Sequence, residues 1–345
     1  MMQTLPLRLL SAALVIVVLA SCNDKLDLTA PYKENTIVYA VLDKDSSIQY
    51  VKINKAFLGD GNAFVYAQVP DSTEYTDAQL QAEIHAVKNG AVVATYALHD
   101  TILPHDPGIF AGPTHKLYYF NTPANAPLDS SAAYRIEITA KGNSVSAETP
   151  VVGWIKPTGA IYSQPLRLVP TGGGYTTQTI KWNSAVNGRR YEISYRFNWD
   201  EVTPTDTLHK SFEQPLGTFV SNNTSGTEAM EADMDGEAFY RTISLKVEYN
   251  PDVTQRIFRS VDIIWAVAGE DLHTYLQLNS PISGIVEDRP TFTNVTDGYG
   301  LFTTRRFREL SKSLDANSVP ELVQGQYTGG LLFCVPGAST PFGCN

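Results

Sequence analysis

The sequence predicts a mainly β protein: two antiparallel β-sandwich domains, the second carrying a few short helices. Three stretches predict it. Leu80, Ala82, Ile84 and Ala86 alternate with polar residues, break at Asn89-Gly90, and resume at Val92, Ala94, Tyr96 and Leu98. Period-two alternation on both sides of a dipeptide that tolerates positive φ is the pattern of a hairpin. Tyr134, Ile136 and Ile138 alternate, turn at Gly142-Asn143, and return through Val145 to Thr149. Thr179–Trp182, a turn at Asn187-Gly188 and Tyr191–Phe197 repeat the arrangement further on. With 345 residues, 43% of them hydrophobic and only 18% charged, the chain is long and apolar enough to fold around a core.

The N-terminus reads differently. Arg8 precedes an apolar run from Leu9 to Ala20 that ends in small residues and a cysteine. Secretory signals combine a basic start, a short apolar run and small residues at the cleavage point. As a helix the run reaches roughly 18 Å, short of the ~30 Å hydrocarbon core of a bilayer. Leu19-Ala20-Ser21-Cys22 resembles the lipobox of bacterial lipoproteins, in which the cysteine thiol takes a diacylglycerol and becomes the new N-terminus. Residues 1–21 are therefore read as a lipoprotein signal peptide, Cys22 as the lipidation site, and 22–33 as a polar tether. The alternative is an ordinary signal peptide with a neighbouring cysteine. Two or more acyl chains anchor a protein stably, so the predicted location is the outer membrane, lipid-anchored, on its periplasmic or cell-surface face.

The first sandwich is placed at 34–150. Thr36–Leu42 and Gln49–Ile53 are β-branched and aromatic, separated by the turn-rich Asp43–Ser47. Leu128, followed by Tyr134 and the alternating Ile136 and Ile138, resembles the tyrosine corner of immunoglobulin-like and fibronectin-type sandwiches, with Ser130-Ser131 where those have Pro-Gly. Asp100–Pro113 is read as an end loop. In and directly beside it lies the histidine concentration of the chain: His99, His105 and His115, with Asp100 and Asp106. His99, His105, Asp106 and His115 are the weak candidates for a metal. None of them falls in a helical i, i+4 pair or a known metal motif, so polar loop residues are the plainer reading. No cofactor is expected.

The second sandwich is placed at 151–345, after an extended linker at Trp154–Pro157. Its Trp182 and Tyr191–Phe197 resemble the second and third strands of a fibronectin type III domain, which implies a buried Trp182. Trp199, just beyond the strand, is the weak candidate for an exposed aromatic at a binding site. Gly172-Gly173-Gly174 lacks the spacing and the lysine of a phosphate loop. Phe239, Tyr240, Ile243 and Val247 recur at a helical period, Val261–Val267 alternates as a strand, and Glu270–Leu278 and Val319–Gln324 read as short amphipathic helices. Glu231–Gly236 resembles the start of a calcium-binding EF-hand loop, but its twelfth position is Thr242, not a bidentate Glu. An acidic helix start is the simpler account.

A net charge of −10 argues against nucleic acid as a partner, since phosphate binding needs a basic surface. With Cys22 assigned to lipid, Cys334 and Cys344 remain as a pair in a disulfide-permissive compartment. A two-cysteine metal site is the alternative. Ile37–Leu42 running into Gln49–Lys55, Phe292-Thr-Asn294-Val-Thr-Asp-Gly298-Tyr-Gly300-Leu-Phe302 and the helix around Tyr275, taken with the lipobox, resemble an uncharacterised lipoprotein family of the Bacteroidota, of the domain-of-unknown-function kind. The resemblance implies an outer-membrane lipoprotein in company with TonB-dependent β-barrel transporters, and no catalytic residues. The expected function is a non-enzymatic accessory or ligand-binding partner of such a transporter. A surface glycan or peptide hydrolase and a structural or adhesive surface protein are the alternatives.

Overall fold

The structure, a computed structural model, describes residues 35–56, 65, 67–106, 113–123, 127–280 and 291–344. The expected signal peptide, the expected lipidation site Cys22 and the expected tether lie outside the described residues. Along the first half run β1 (Thr36–Asp43), β2 (Ile48–Lys55), α1 (Pro70–Thr73), β3 (Leu80–Lys88), β4 (Ala91–Ala97), β5 (His99–Pro104), β6 (Thr114–Asn121), β7 (Ala133–Ala140) and β8 (Asn143–Pro150). Then come β9 (Lys156–Thr158), α2 (Ala160–Ser163), β10 (Thr177–Asn183), β11 (Arg190–Val202), β12 (Thr207–Val220), β13 (Ala229–Asp235) and α3 (Gly236–Lys246). β14 (Gln255–Ala268), α4 (Glu270–Leu278), β15 (Tyr299–Lys312), α5 (Ser318–Gln324) and β16 (Phe333–Cys334) complete the chain. The fold is mainly β with a few short helices, as predicted.

Three sheets form. The large one runs β12-β11-β14-β15-β1-β2-β6-β5, with β16 alongside β14; the smaller ones are β13-β10-β9 and β4-β3-β7-β8. The large sheet buries one face twice. Val38, Leu42, Val51, Ile53 and Phe120 meet Ile84, Ile136 and Ile138 of the four-stranded sheet in one core. Tyr191, Ile193, Phe197, Ile263 and Trp265 meet Ile180 and Trp182 of the three-stranded sheet, with Phe239 and Ile243 of α3 and Leu322 of α5, in the other. Val151 belongs to the first core and Val152 to the second. The large sheet is nonetheless continuous, and Asn35–Asn345 is one compact unit.

β15 is the seam. It pairs with β14 antiparallel on one side and with β1 parallel on the other, from Ile37 opposite Tyr299 to Asp43 opposite Arg305. An all-antiparallel arrangement was expected; β1–β15 and the short β14–β16 pair are parallel. Phe302 enters the first core while Leu310 packs against the second. The approach to Phe302 is held by Asn294. Its carboxamide oxygen accepts from the Phe302 N–H at 2.9 Å and its Nδ2 donates to the Phe302 carbonyl at 2.7 Å, so the side chain stands in for a neighbouring strand. At Gly300, φ is +116° and an added Cβ would lie 1.9 Å from the Val38 carbonyl oxygen, which is why this position of β15 is a glycine.

The tyrosine corner is present. The Tyr134 hydroxyl accepts from the Asp129 N–H at 3.0 Å. Tyr191 makes a second one, accepting from the Ala185 N–H at 2.7 Å. Asn89 and Gly90 both take positive φ at the β3–β4 turn, as the dipeptide predicts. The β7–β8 turn sits one residue earlier than expected, at Lys141-Gly142, where both residues take positive φ. Two further expectations are corrected, and the acidic helix start is found at Asp235 and Glu237. The supposed end loop begins as strand β5, paired with β6. The supposed linker at Trp154–Pro157 holds Ile155 fully buried in the second core and leads directly into β9. Glu231–Gly236 is strand β13 running into α3, and Asp235 caps that helix by accepting from the Ala238 N–H at 2.8 Å.

Candidate functional site

The histidine-rich segment is partly brought together. His105 and His115 meet edge to face with ring centres 4.3 Å apart, and Asp106 is close enough for its charge to act on His115. Lys52 Nζ lies 3.5 Å from His115 Nδ1, and the group lines a hollow of about 250 Å³ with Asn54, Thr73 and Glu74. Burial, with the Lys52 and His105 charges, pushes His115 below the usual histidine range; burial also pushes Lys52 down against the pull of Glu74. His99 is elsewhere. It pairs with Tyr119 while His115 pairs with Leu103, about 13 Å along the strand. Lys52 sits among the two histidines and the carboxylates Asp106 and Glu74, and among the described residues these side chains do not bring three donor atoms together as a ligand set.

Trp199 is not an exposed platform. β11 continues to Val202, Trp199 is only 5% exposed, and its indole N–H points to Glu201 Oε1 at 3.4 Å. Glu201 in turn pairs with the buried Arg256 at 2.9 Å. Trp182 is fully buried against Trp265 and Phe219. Cys334, the last residue of β16, and Cys344 form a disulfide, with sulfurs 2.06 Å apart.

A constellation that sequence reading missed lies on the outer face of the four-stranded sheet. Among the described residues, Glu83, His85 and Glu137 offer donor atoms all within 4.8 Å of one another. β3 places Glu83 and His85 two residues apart on one face, and the β3–β7 register sets Glu137 directly opposite Glu83. His85 Nε2 lies 3.2 Å from Glu83 Oε1 and 3.4 Å from Glu137 Oε2. Its Nδ1 lies 3.0 Å from the Thr95 hydroxyl on β4. The His85 side chain is 10% exposed, whereas the two carboxylates are about half exposed. Arg135 Nε lies 2.8 Å from the other Glu137 oxygen, and its NH1 is 3.8 Å from Glu148. A hollow of about 680 Å³ opens over Glu83, Glu137, Thr139, Ser144 and Ser146. The signal available in sequence was the Glu-Ile-His alternation opposite the core residues; the partner Glu137 depends on a pairing that skips β4, β5 and β6.

The outer face of the large sheet carries a second feature. Tyr39, Val41, Ile48 and Tyr50 are each roughly two-fifths exposed and border a hollow of about 460 Å³ on β1 and β2. Tyr39 meets Tyr275 of α4 edge to face at 6.3 Å, and Tyr50 meets Tyr119 at 6.4 Å. The segments that carry the family resemblance, 37–42, 49–55, 292–302 and the helix around Tyr275, converge here on adjoining strands and the helix above them.

No protein-family model matches the chain, and no curated protein does. Among solved structures, the chain is similar to the C-terminal globular domain of an oligosaccharyltransferase from Pyrococcus abyssi, at 12% identity and a TM-score of 0.23, over 68% of this chain and 48% of that one. The chain thus spans about half the length of that protein.

Proposed function

We propose that this is a lipid-anchored outer-membrane protein that acts, without catalysis of its own, as an accessory or ligand-binding partner of a TonB-dependent β-barrel transporter. The observation that carries the reading is Leu19-Ala20-Ser21-Cys22 at the end of a short apolar run. The family resemblance supplies the partner. The exposed face around Tyr39, Val41, Ile48 and Tyr50 supports it, because aromatic side chains are enriched at protein interfaces and contribute large contact area. Tyr39 packs against Tyr275 of α4 and Tyr50 against Tyr119 of β6, both on the large sheet, which favours binding with little ordering cost.

The test is a mild-detergent pull-down from outer membranes with a C-terminal tag, comparing wild type with Tyr39→Glu and Tyr50→Glu. Both side chains are exposed, so the substitutions leave the cores intact. A stoichiometric β-barrel that co-purifies with wild type and is depleted from both variants is the expected outcome. A lipoprotein recovered alone from intact outer membranes would overturn the transporter role.

A further inference from the structure

We infer that Glu83, His85 and Glu137 form a zinc site on the outer face of the four-stranded sheet, with Thr95 as its positioning residue. The inference stands apart from the proposed accessory role. Three observations converge on it.

The first is distance. Zinc bonds to histidine nitrogen and carboxylate oxygen are about 2.0–2.2 Å long, so the edges of a tetrahedron around the ion are roughly 3.3–3.6 Å. His85 Nε2 stands 3.2 Å from Glu83 Oε1 and 3.4 Å from Glu137 Oε2. Two edges thus have tetrahedral spacing, and the two carboxylate oxygens lie within 4.8 Å of each other, close enough to close on an ion. Glu83 and Glu137 border the hollow that Ser144 and Ser146 also line, through which water or a ligand's carboxylate could supply a fourth donor.

The second is the orientation of the imidazole. The ring is nine-tenths buried, and its Nδ1 is engaged by the Thr95 hydroxyl. With Nδ1–H donating to Thr95 Oγ1, the Nε2 lone pair points at the space between the two carboxylates. A metal-ligating histidine is held this way, its second nitrogen bonded to a neighbour that fixes tautomer and tilt.

The third is charge. Glu83 and Glu137 are directly opposite on adjacent antiparallel strands, an arrangement that repels unless a cation intervenes. Arg135 engages Glu137 and Glu148 from the far side. With His85 neutral, Glu83, Glu137, Glu148 and Arg135 leave two negative charges uncompensated, which a divalent ion matches. One imidazole with two carboxylates suits zinc, whereas all-oxygen sets suit magnesium or calcium.

The experiment uses the full chain in detergent, stripped with a chelator, and titrated with zinc against a chromophoric competitor. The same samples are loaded with cobalt for visible spectra. Wild type is expected to bind one equivalent at micromolar zinc and to give the intense cobalt bands of a four-coordinate site. His85→Ala and Glu83→Gln should abolish that binding, Thr95→Val should weaken it about 10–100-fold, and the double variant His105→Ala/His115→Ala should bind as wild type. Glu83 is half exposed, so its variant remains folded and keeps the test decisive if His85→Ala misfolds. Failure of wild type to bind an equivalent, or retention of wild-type affinity by Glu83→Gln, would overturn the assignment and leave His85 as a polar contact between two carboxylates.

Discussion

Gly300→Ala is expected to be among the most damaging small substitutions in the molecule. Two effects add. Gly300 sits at φ +116°, where an L-residue costs about 1–3 kcal/mol. The new methyl would also lie 1.9 Å from the Val38 carbonyl oxygen, so β1 and β15 must part by about 1.1 Å to reach the 3.0 Å floor of real contacts. A separation of that size breaks the ladder around Val38 and Gly300. Two lost hydrogen bonds at roughly 0.5–1.5 kcal/mol each bring the total to about 4 kcal/mol. That is a large fraction of the ~5–15 kcal/mol that stabilises a typical domain. Gly90→Ala is the control. Gly90 also has positive φ, at +78°, but nothing lies within 4 Å of its added Cβ, so only about 1–2 kcal/mol of backbone strain applies. Urea unfolding followed by the fluorescence of buried Trp182 and Trp265 measures both. If Gly300→Ala falls within about 1 kcal/mol of Gly90→Ala, the close β1–β15 approach is not what the glycine serves.

Three further outcomes are expected. Asn294→Ala strips the Phe302 N–H and carbonyl of their partners beside a buried core, and should cost about 2–4 kcal/mol in the same unfolding assay. Tyr191→Phe leaves the Ala185 N–H without its acceptor in the second core and should cost about 1–3 kcal/mol, more than Tyr50→Phe on the exposed face. Asp200 is pushed up by burial, but its hydrogen bonds and charge contacts with Arg259 and His209 outweigh that and hold its carboxyl below the usual range. Its contribution is therefore complete above the unfolded carboxylate pKa of about 3.9 and is lost as pH falls through the lower folded value. Asp200→Asn should flatten the stability–pH curve in that acid window.

Local pattern carried much of the architecture. The β3–β4 hairpin, α4 from Glu270 to Leu278 and the Tyr134 corner follow from alternation, helical period and spacing, all of which act over a few residues. What escaped was set by pairings distant in sequence. β15 joins β1 across more than two hundred residues, and its inward row reads Phe302, Thr304, Arg306, Arg308 rather than as an apolar alternation. The reason lies at the junction of the cores. Thr304 Oγ1 donates to the Pro150 carbonyl and accepts from the Val152 N–H, while Arg306 and Arg308 stack over the Trp154 ring at 4.7 and 4.3 Å. Polar residues are tolerated where the strand crosses from one core to the other. β12 was missed because it is an edge strand, half exposed and interrupted by Pro215 and Gly217 at a bulge. Trp199 was misread for a related reason: an alternation that runs on through Glu201 buries it, and a salt-bridged carboxylate inside a strand is not visible as a core residue from its type alone. In the Glu83–His85–Glu137 group, two members were legible as neighbours on one face of β3; the third required the β3–β7 register.

The central claim, that Cys22 holds the protein on the membrane, is tested most directly by the mass of the mature N-terminal peptide from purified membranes. That peptide is expected to begin at Cys22 and to carry a diacylglycerol and fatty acyl groups, and Cys22→Ala is expected to release the protein to the soluble fraction. A mature N-terminus at another residue, or an unmodified Cys22 on a protein still held in the membrane, would contradict it.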